Sequence, residues 1–208
     1  MSRSTLVAWL IFAAGVALIA VYFLITVPGS TPQVVTDLPG ETGGPQIALT
    51  IAGEAEGDVV IELFDTLAPQ HAERLITLTR EGAYDGVVFH RVIEGFMAQT
   101  GDVEHGKDSG DMRLAGTGGS SYPDLPAEFS EESFVAGTVG MARSADPDSA
   151  NSQFFIMFEP AAHLDGGYTV VGRVIEGLDV VMAIKRGEGP NGAVIGEPDR
   201  IVSARVVE

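Results

Sequence analysis

The sequence predicts a mainly β domain, a closed eight-stranded antiparallel barrel capped by two α-helices and preceded by one N-terminal transmembrane helix. Three observations carry this reading. Short apolar runs of period two recur from Ile47 to the C-terminus, and only two stretches switch to helical spacing. Closure into a barrel would leave so many short strands without exposed edges. Ahead of them, Leu6 to Val27 carries no charged residue, long enough at 1.5 Å per residue to cross a hydrocarbon core of about 30 Å.

The elements follow in order. Residues 1–5 form a short N-terminus whose Arg3 favours a cytoplasmic location, so that the span 6–27 is a signal-anchor with Trp9 and Tyr22 near its interfaces. A cleavable signal peptide is the alternative, but its apolar region usually runs only about 7–15 residues. Residues 28–45 hold four prolines and four glycines and read as a flexible tether. The folded domain is expected over 46–208. Ile47, Leu49 and Ile51 alternate, as do Val59, Ile61 and Leu63, predicting a hairpin across a Gly57-Asp58 turn signal. Ala68 to Glu81 has helical spacing, with Pro69 tolerated in the first turn. Strand patterns resume at 87–93, 96–101, 137–142, 153–158, 169–175 and 200–207, and Leu178 to Lys185 reads as a second short helix. Between Asp102 and Phe134 no period survives, giving a loop longer than the roughly 12–15 residues of passive connections.

Composition narrows the function. The 208 residues carry a formal net charge of −17, and the first acidic residue is Asp37. Nucleic acid is therefore excluded as an expected partner, because a polyanion needs a basic face. The absence of cysteine removes disulfides, thiol chemistry and cysteinyl metal sites. The four histidines, His71, His90, His105 and His163, lack metal-ligand spacing. Asp146 and Asp148 start like a calcium loop, but Asn151 stands where such a loop needs glycine and Met157 where it needs an acid. Glycine-rich 116–120 lacks the lysine of a phosphate-binding loop and reads as a tight turn. No metal or cofactor is expected.

The most informative stretch is Phe89 to Asp102, F-H-R-V-I-E-G-F-M-A-Q-T-G-D, which sets one arginine among apolar side chains at strand spacing. Arg91 and Ile93 share a face, as do Met97 and Gln99. Asn151 to Ile156, N-S-Q-F-F-I, repeats the design. Together with G-T-G-G-S at 116–120 and H-L-D-G at 163–166, these runs resemble the cyclophilin family of peptidyl-prolyl cis-trans isomerases from about Gln46 to the C-terminus.

The resemblance implies the same barrel, no cofactor, and acceleration of X-Pro bond rotation in proline-containing polypeptides. It makes Arg91 the catalytic donor, with Gln99 orienting it. Phe96, Met97, Phe155 and Leu164 would line a proline cup, while His90, Ala142, Arg143, Gln153, His163 and Tyr168 would contact flanking substrate. His163 stands where many eukaryotic relatives carry tryptophan, and Tyr168 where many carry histidine. Cyclosporin binding is therefore expected to be weak. These departures, with R-S-A-D-P-D-S-A at 143–150, are similar to a bacterial cyclophilin, membrane-anchored or exported. The expected role is folding of exported proteins, with the catalytic domain on the periplasmic side of the inner membrane. The alternative is a peptide-binding chaperone module with little turnover, and a further rival is a structural envelope protein using the barrel as an interaction surface.

Overall fold

In a computed structural model, residues 43–207 are described. The span 6–27, most of the tether and the topology assigned to them lie outside the described residues. No helix among the described residues is long and apolar enough to cross a membrane.

Eight antiparallel strands form one curled sheet: β1 Gln46–Ala52, β2 Gly57–Leu63, β3 Arg91–Ile93, β4 Met97–Thr100, β5 Thr138–Met141, β6 Phe154–Met157, β7 Val170–Glu176 and β8 Arg200–Val207. Their spatial order is β3-β4-β6-β5-β7-β2-β1-β8. The helices are α1 (Pro69–Arg80) and α2 (Leu178–Ala183), and 3-10 turns occupy Ala162–Leu164 and Pro190–Gly192. α1 packs on β7 and β8, and α2 on β2.

The sequence anticipated a closed barrel, whereas the hydrogen-bonded ladder runs from β3 to β8 as an open, curled sheet. The two edge strands share no ladder. The segment before β3 instead reaches β8 through isolated contacts: Val88 bridges Arg200, Phe89 N–H donates to the Asp199 carbonyl at 2.8 Å, and Ile201 N–H donates to the Val87 carbonyl at 2.8 Å. The same segment sends Val88 N–H to the Gly106 carbonyl, so its backbone groups are divided among neighbours and β3 is only three residues long. The first hairpin also turns earlier than its turn signal. Gly57 and Asp58 belong to β2, paired with Ile51 and Thr50, and the Thr50 hydroxyl donates to Asp58 at 2.7 Å. α2 stops at Ala183, where the buried Asp199 carboxylate captures the Lys185 N–H at 2.6 Å.

Period-two alternation divides the sheet into two apolar layers. Val92, Ala98, Val139, Met141, Phe154 and Ile156 face the larger core, which holds Leu75, Ile76 and Leu78 of α1 together with Tyr84 and Phe89. Met97, Phe155 and Met157 point the other way, into a second cluster with Phe64, Phe134, Ala161, Leu164 and Val170. Strands buried on both faces read as continuous apolar runs, as F-F-I-M in β6 does. The second layer is the floor of the site.

Candidate functional site

β3, β4 and β6 bring the two sequence runs side by side. Arg91 pairs with Gln99 and Ile93 with Met97, while Gln99 pairs with Phe155 and Met97 with Met157. One face thus presents cation, amide and aromatic ring in a row. A cavity of about 140 Å³ opens over it, lined by Arg91, Phe96, Met97, Gln99, Ala142, Arg143, Phe155, Leu164 and Tyr168. Phe155, 5% exposed, stacks on Phe134 at 5.6 Å between centroids and meets the Tyr168 ring edge-on at 5.9 Å, so its place in the floor is fixed from two sides.

Gly140 of β5 lies opposite Phe155. A Cβ there would fall 2.5 Å from Phe155 Cζ and 2.6 Å from Phe134 Cε1. The floor rings therefore need glycine beneath them, a requirement the sequence reading passed over. An isolated glycine inside the strand T-V-G-M was the available signal.

The guanidinium at the cavity mouth is held by neutral acceptors. Arg91 donates from Nη1 to Gln99 Oε1 at 3.0 Å, from Nε to the Asn191 carbonyl at 3.0 Å and from Nη2 to Asn191 Oδ1 at 3.2 Å. Burial lowers its pKa, yet an arginine remains charged throughout the physiological range. Among the described residues no carboxylate forms an ion pair with it.

A relay of amides runs from this arginine to the long loop. Gln99 Nε2 donates to Gln153 Oε1 at 2.9 Å, and Gln153 Nε2 donates to the carbonyls of Gly116 and Gly118 at 3.1 and 2.8 Å. Asp102 secures the other side of that loop segment. Its carboxylate accepts the N–H groups of Gly116, Gly118, His105 and Glu104 at 2.7, 3.0, 2.8 and 3.1 Å. Burial alone would raise the Asp102 pKa, but these four backbone donors hold it below the ordinary 3.8. A second cavity of about 250 Å³ adjoins the first, lined by Gln99, Gly116, Thr117, Gly118, Ala142, Arg143, Ser144, Ser149, Asn151 and Gln153. Arg143 stands between the two, its guanidinium 4.3 Å from the Tyr168 centroid and donating from Nη2 to the Gly167 carbonyl at 2.7 Å.

Two expected contact residues occupy other places. The His90 ring nitrogens are buried under the loop, and a Cβ at Gly116 would come within 2.8 Å of the imidazole. His90 supports the loop from behind and does not line either cavity, since its strand neighbour Arg91 takes the outward face. Burial lowers its pKa. His163 is exposed and stacks over Phe96 at 5.7 Å, on the rim of the apolar cavity and not among its lining residues. Gln153 lines the second cavity, and the remaining residues named from the sequence line the first.

Comparison with known proteins agrees with this geometry. Residues 47–206 match the family described as cyclophilin type peptidyl-prolyl cis-trans isomerase/CLD. A protein of Brucella suis biovar 1 (strain 1330), named "Probable peptidyl-prolyl cis-trans isomerase", is 61% identical over 154 residues, covering 73% of this chain and 78% of its own. A Synechococcus elongatus peptidyl-prolyl cis-trans isomerase is 38% identical over 154 residues, covering 73% of this chain and 91% of its own. The crystal structure of cyclophilin AquaCyp293 from Hirschia baltica superposes with a TM-score of 0.63 at 29% identity, covering 76% of this chain and 72% of that one. With the match extending from β1 to β8, the chain belongs to the cyclophilin-type peptidyl-prolyl cis-trans isomerase family.

Proposed function

We propose that the chain catalyses cis-trans rotation of X-Pro bonds in polypeptides, with Arg91 as the catalytic donor and the apolar cavity as the seat of the proline ring. The observation that carries this is a guanidinium at the mouth of an apolar cavity, held without a carboxylate. Rotation about an X-Pro bond meets a barrier of about 18–20 kcal/mol because amide resonance must be given up. In the twisted state the nitrogen recovers a lone pair, and a donor aimed at it stabilises that state more than either planar one. No covalent bond is broken and no proton changes hands.

Arg91 has the donors for this task. Of the five guanidinium N–H groups, three are spent on Gln99 and Asn191, which leaves one on each terminal nitrogen for substrate. A carboxylate partner would neutralise the charge that the twisted amide needs. Phe96, Met97, Phe155 and Leu164 take the proline ring out of water, and flanking residues of the polypeptide extend towards Arg143, Gln153 and the 116–118 segment. Exposed His163 offers a cyclosporin-like macrocycle a smaller surface than tryptophan would, which supports weak binding of such an inhibitor.

The uncharged span 6–27 and the proline- and glycine-rich stretch after it support anchoring in the inner membrane with the domain on the extracytoplasmic side, acting on exported polypeptides. Signal-peptide cleavage would deliver the same domain as a free exported enzyme. The test of activity is interconversion of short Ala-X-Pro-Phe peptides by the full chain. An isomerase accelerates exchange at substoichiometric concentration. Binding without acceleration would instead assign the groove to a peptide-holding chaperone.

A further inference from the structure

We infer that Asn191 is the positioning residue that fixes the Arg91 guanidinium, a role that rests on Arg91 being the catalytic donor. Asn191 alone supplies two of the three acceptors around that guanidinium: its carbonyl takes Nε–H and its side-chain oxygen takes Nη2–H. For one residue to present both oxygens to the same planar group, its carbonyl must turn back alongside its own side chain. Its backbone is in the left-handed region at φ 56°, and it is the only non-glycine residue with positive φ among those described. Asparagine is among the few residues that adopt this region readily. Strain of this kind persists only where the surroundings impose it.

The surroundings do so. Residues 187–194 are tied to β3 by the Gly187 N–H to the Val92 carbonyl at 2.9 Å, by the Val194 N–H to the His90 carbonyl at 3.1 Å, and by a bridge between Arg91 and Ala193. Gly192 lets the turn close, since a Cβ there would lie 2.4 Å from Ile93 Cγ1. Gln99 holds the guanidinium from β4, and Asn191 holds it from the opposite side. With both in place the plane of the fork is set and one N–H on each terminal nitrogen is left over. Asn191 is otherwise exposed, so it adds little to the core.

The experiment compares Asn191→Gly with wild type in the full chain, and repeats the comparison in an Arg91→Ala background. Glycine tolerates the left-handed backbone and keeps the carbonyl acceptor, while the side-chain amide and its acceptor oxygen are removed. The expected result is a fall in kcat of about tenfold, the rate equivalent of one modest hydrogen bond to a charged group, with KM held within about twofold. In the Arg91→Ala background the same substitution should change kcat by less than about twofold, because no guanidinium remains to be positioned. Equal losses in both backgrounds would make Asn191 merely structural and overturn the inference. So would an unchanged kcat in the wild-type background. If Arg91→Ala itself kept full turnover, the assignment of Arg91 would fail instead, a different outcome in a different protein.

Discussion

Replacing Gly140 with alanine tests whether the floor of the site is built as described. The added Cβ would meet Phe155 Cζ at 2.5 Å and Phe134 Cε1 at 2.6 Å, whereas carbon atoms in contact sit about 3.5–4.0 Å apart. The rings must withdraw by about an ångström. β5 and β6 are paired at Gly140 and Phe155, so the backbone cannot yield easily, and the open direction for Phe155 is the 140 Å³ cavity. Overpacking of this kind costs about 1–3 kcal/mol, and for a domain of this size each kcal/mol lowers Tm by about 2–4 °C. Tm should therefore fall by about 2–12 °C. A ring displaced into the cup would also exclude about one or two methylenes' worth of substrate contact, worth about 0.8 kcal/mol each, and raise KM by up to about tenfold. Thermal unfolding and steady-state isomerisation measure the two effects. Because Phe134 also meets the new methyl, shortening it with Phe134→Leu should recover part of the loss in the double variant. An unchanged Tm together with an unchanged KM would refute the packing argument.

Three further outcomes are expected. Asp102 has a folded-state pKa below its ordinary 3.8, so the stability it supplies is fully present above that value and is lost as pH falls through the lower folded one. Amide protection factors at Gly116 and Gly118, taken relative to the intrinsic exchange rate at each pH, should be high at neutral pH and fall as the carboxylate protonates in acid, while Asp102→Asn should show low protection already at neutral pH; equal protection factors in the two proteins would deny the carboxylate its role. The full-length protein should sediment with membranes and resist carbonate extraction, and N-terminal sequencing of cell-derived protein should find the span 6–27 retained; a terminus beyond it would make the enzyme a free exported one. His163→Trp should tighten cyclosporin in a calorimetric titration by adding apolar area and an indole N–H at the Phe96 rim, with peptide turnover changed much less. Equal affinities would place position 163 outside inhibitor contact.

The candidate site was largely legible because most of its residues sit in three short strands, β3, β4 and β6, whose alternation can be read directly. Arg91, Met97, Gln99 and Phe155 had to share a face once the strands were paired, and the structure pairs them so. What escaped is held by tertiary geometry. Asn191 lies 100 residues from Arg91 along the chain, in a Pro-Asn-Gly turn that reads as an ordinary loop until it is placed against β3. Gly140 looks like a weak point in a strand, and only the two rings above it explain its absence of a side chain. The family resemblance implies substrate contact for His90, whereas its ring nitrogens are buried and it lines neither cavity. The sequence predicts a closed barrel because closure removes exposed edge strands. Here the backbone groups of residues 86–89 are shared between β8 and the 106–108 region, so contact is made without a continuous ladder.

The role proposed for Arg91 is to lower the rotational barrier while contributing little to the fold. Its three hydrogen bonds go to neutral acceptors at a partly exposed position, so Arg91→Ala should lower Tm by no more than about 2–4 °C for each kcal/mol lost. Removing a donor aimed at transition-state charge costs about 2.7–4 kcal/mol, or about 10²–10³ in kcat. The decisive measurement is magnetisation-exchange NMR of cis-trans interconversion in a saturating X-Pro peptide, with wild type and Arg91→Ala at equal concentration and circular dichroism run alongside. Exchange should be slowed by about 10²–10³ with native ellipticity retained. Wild-type exchange rates in a folded Arg91→Ala protein would remove Arg91 from the catalytic step.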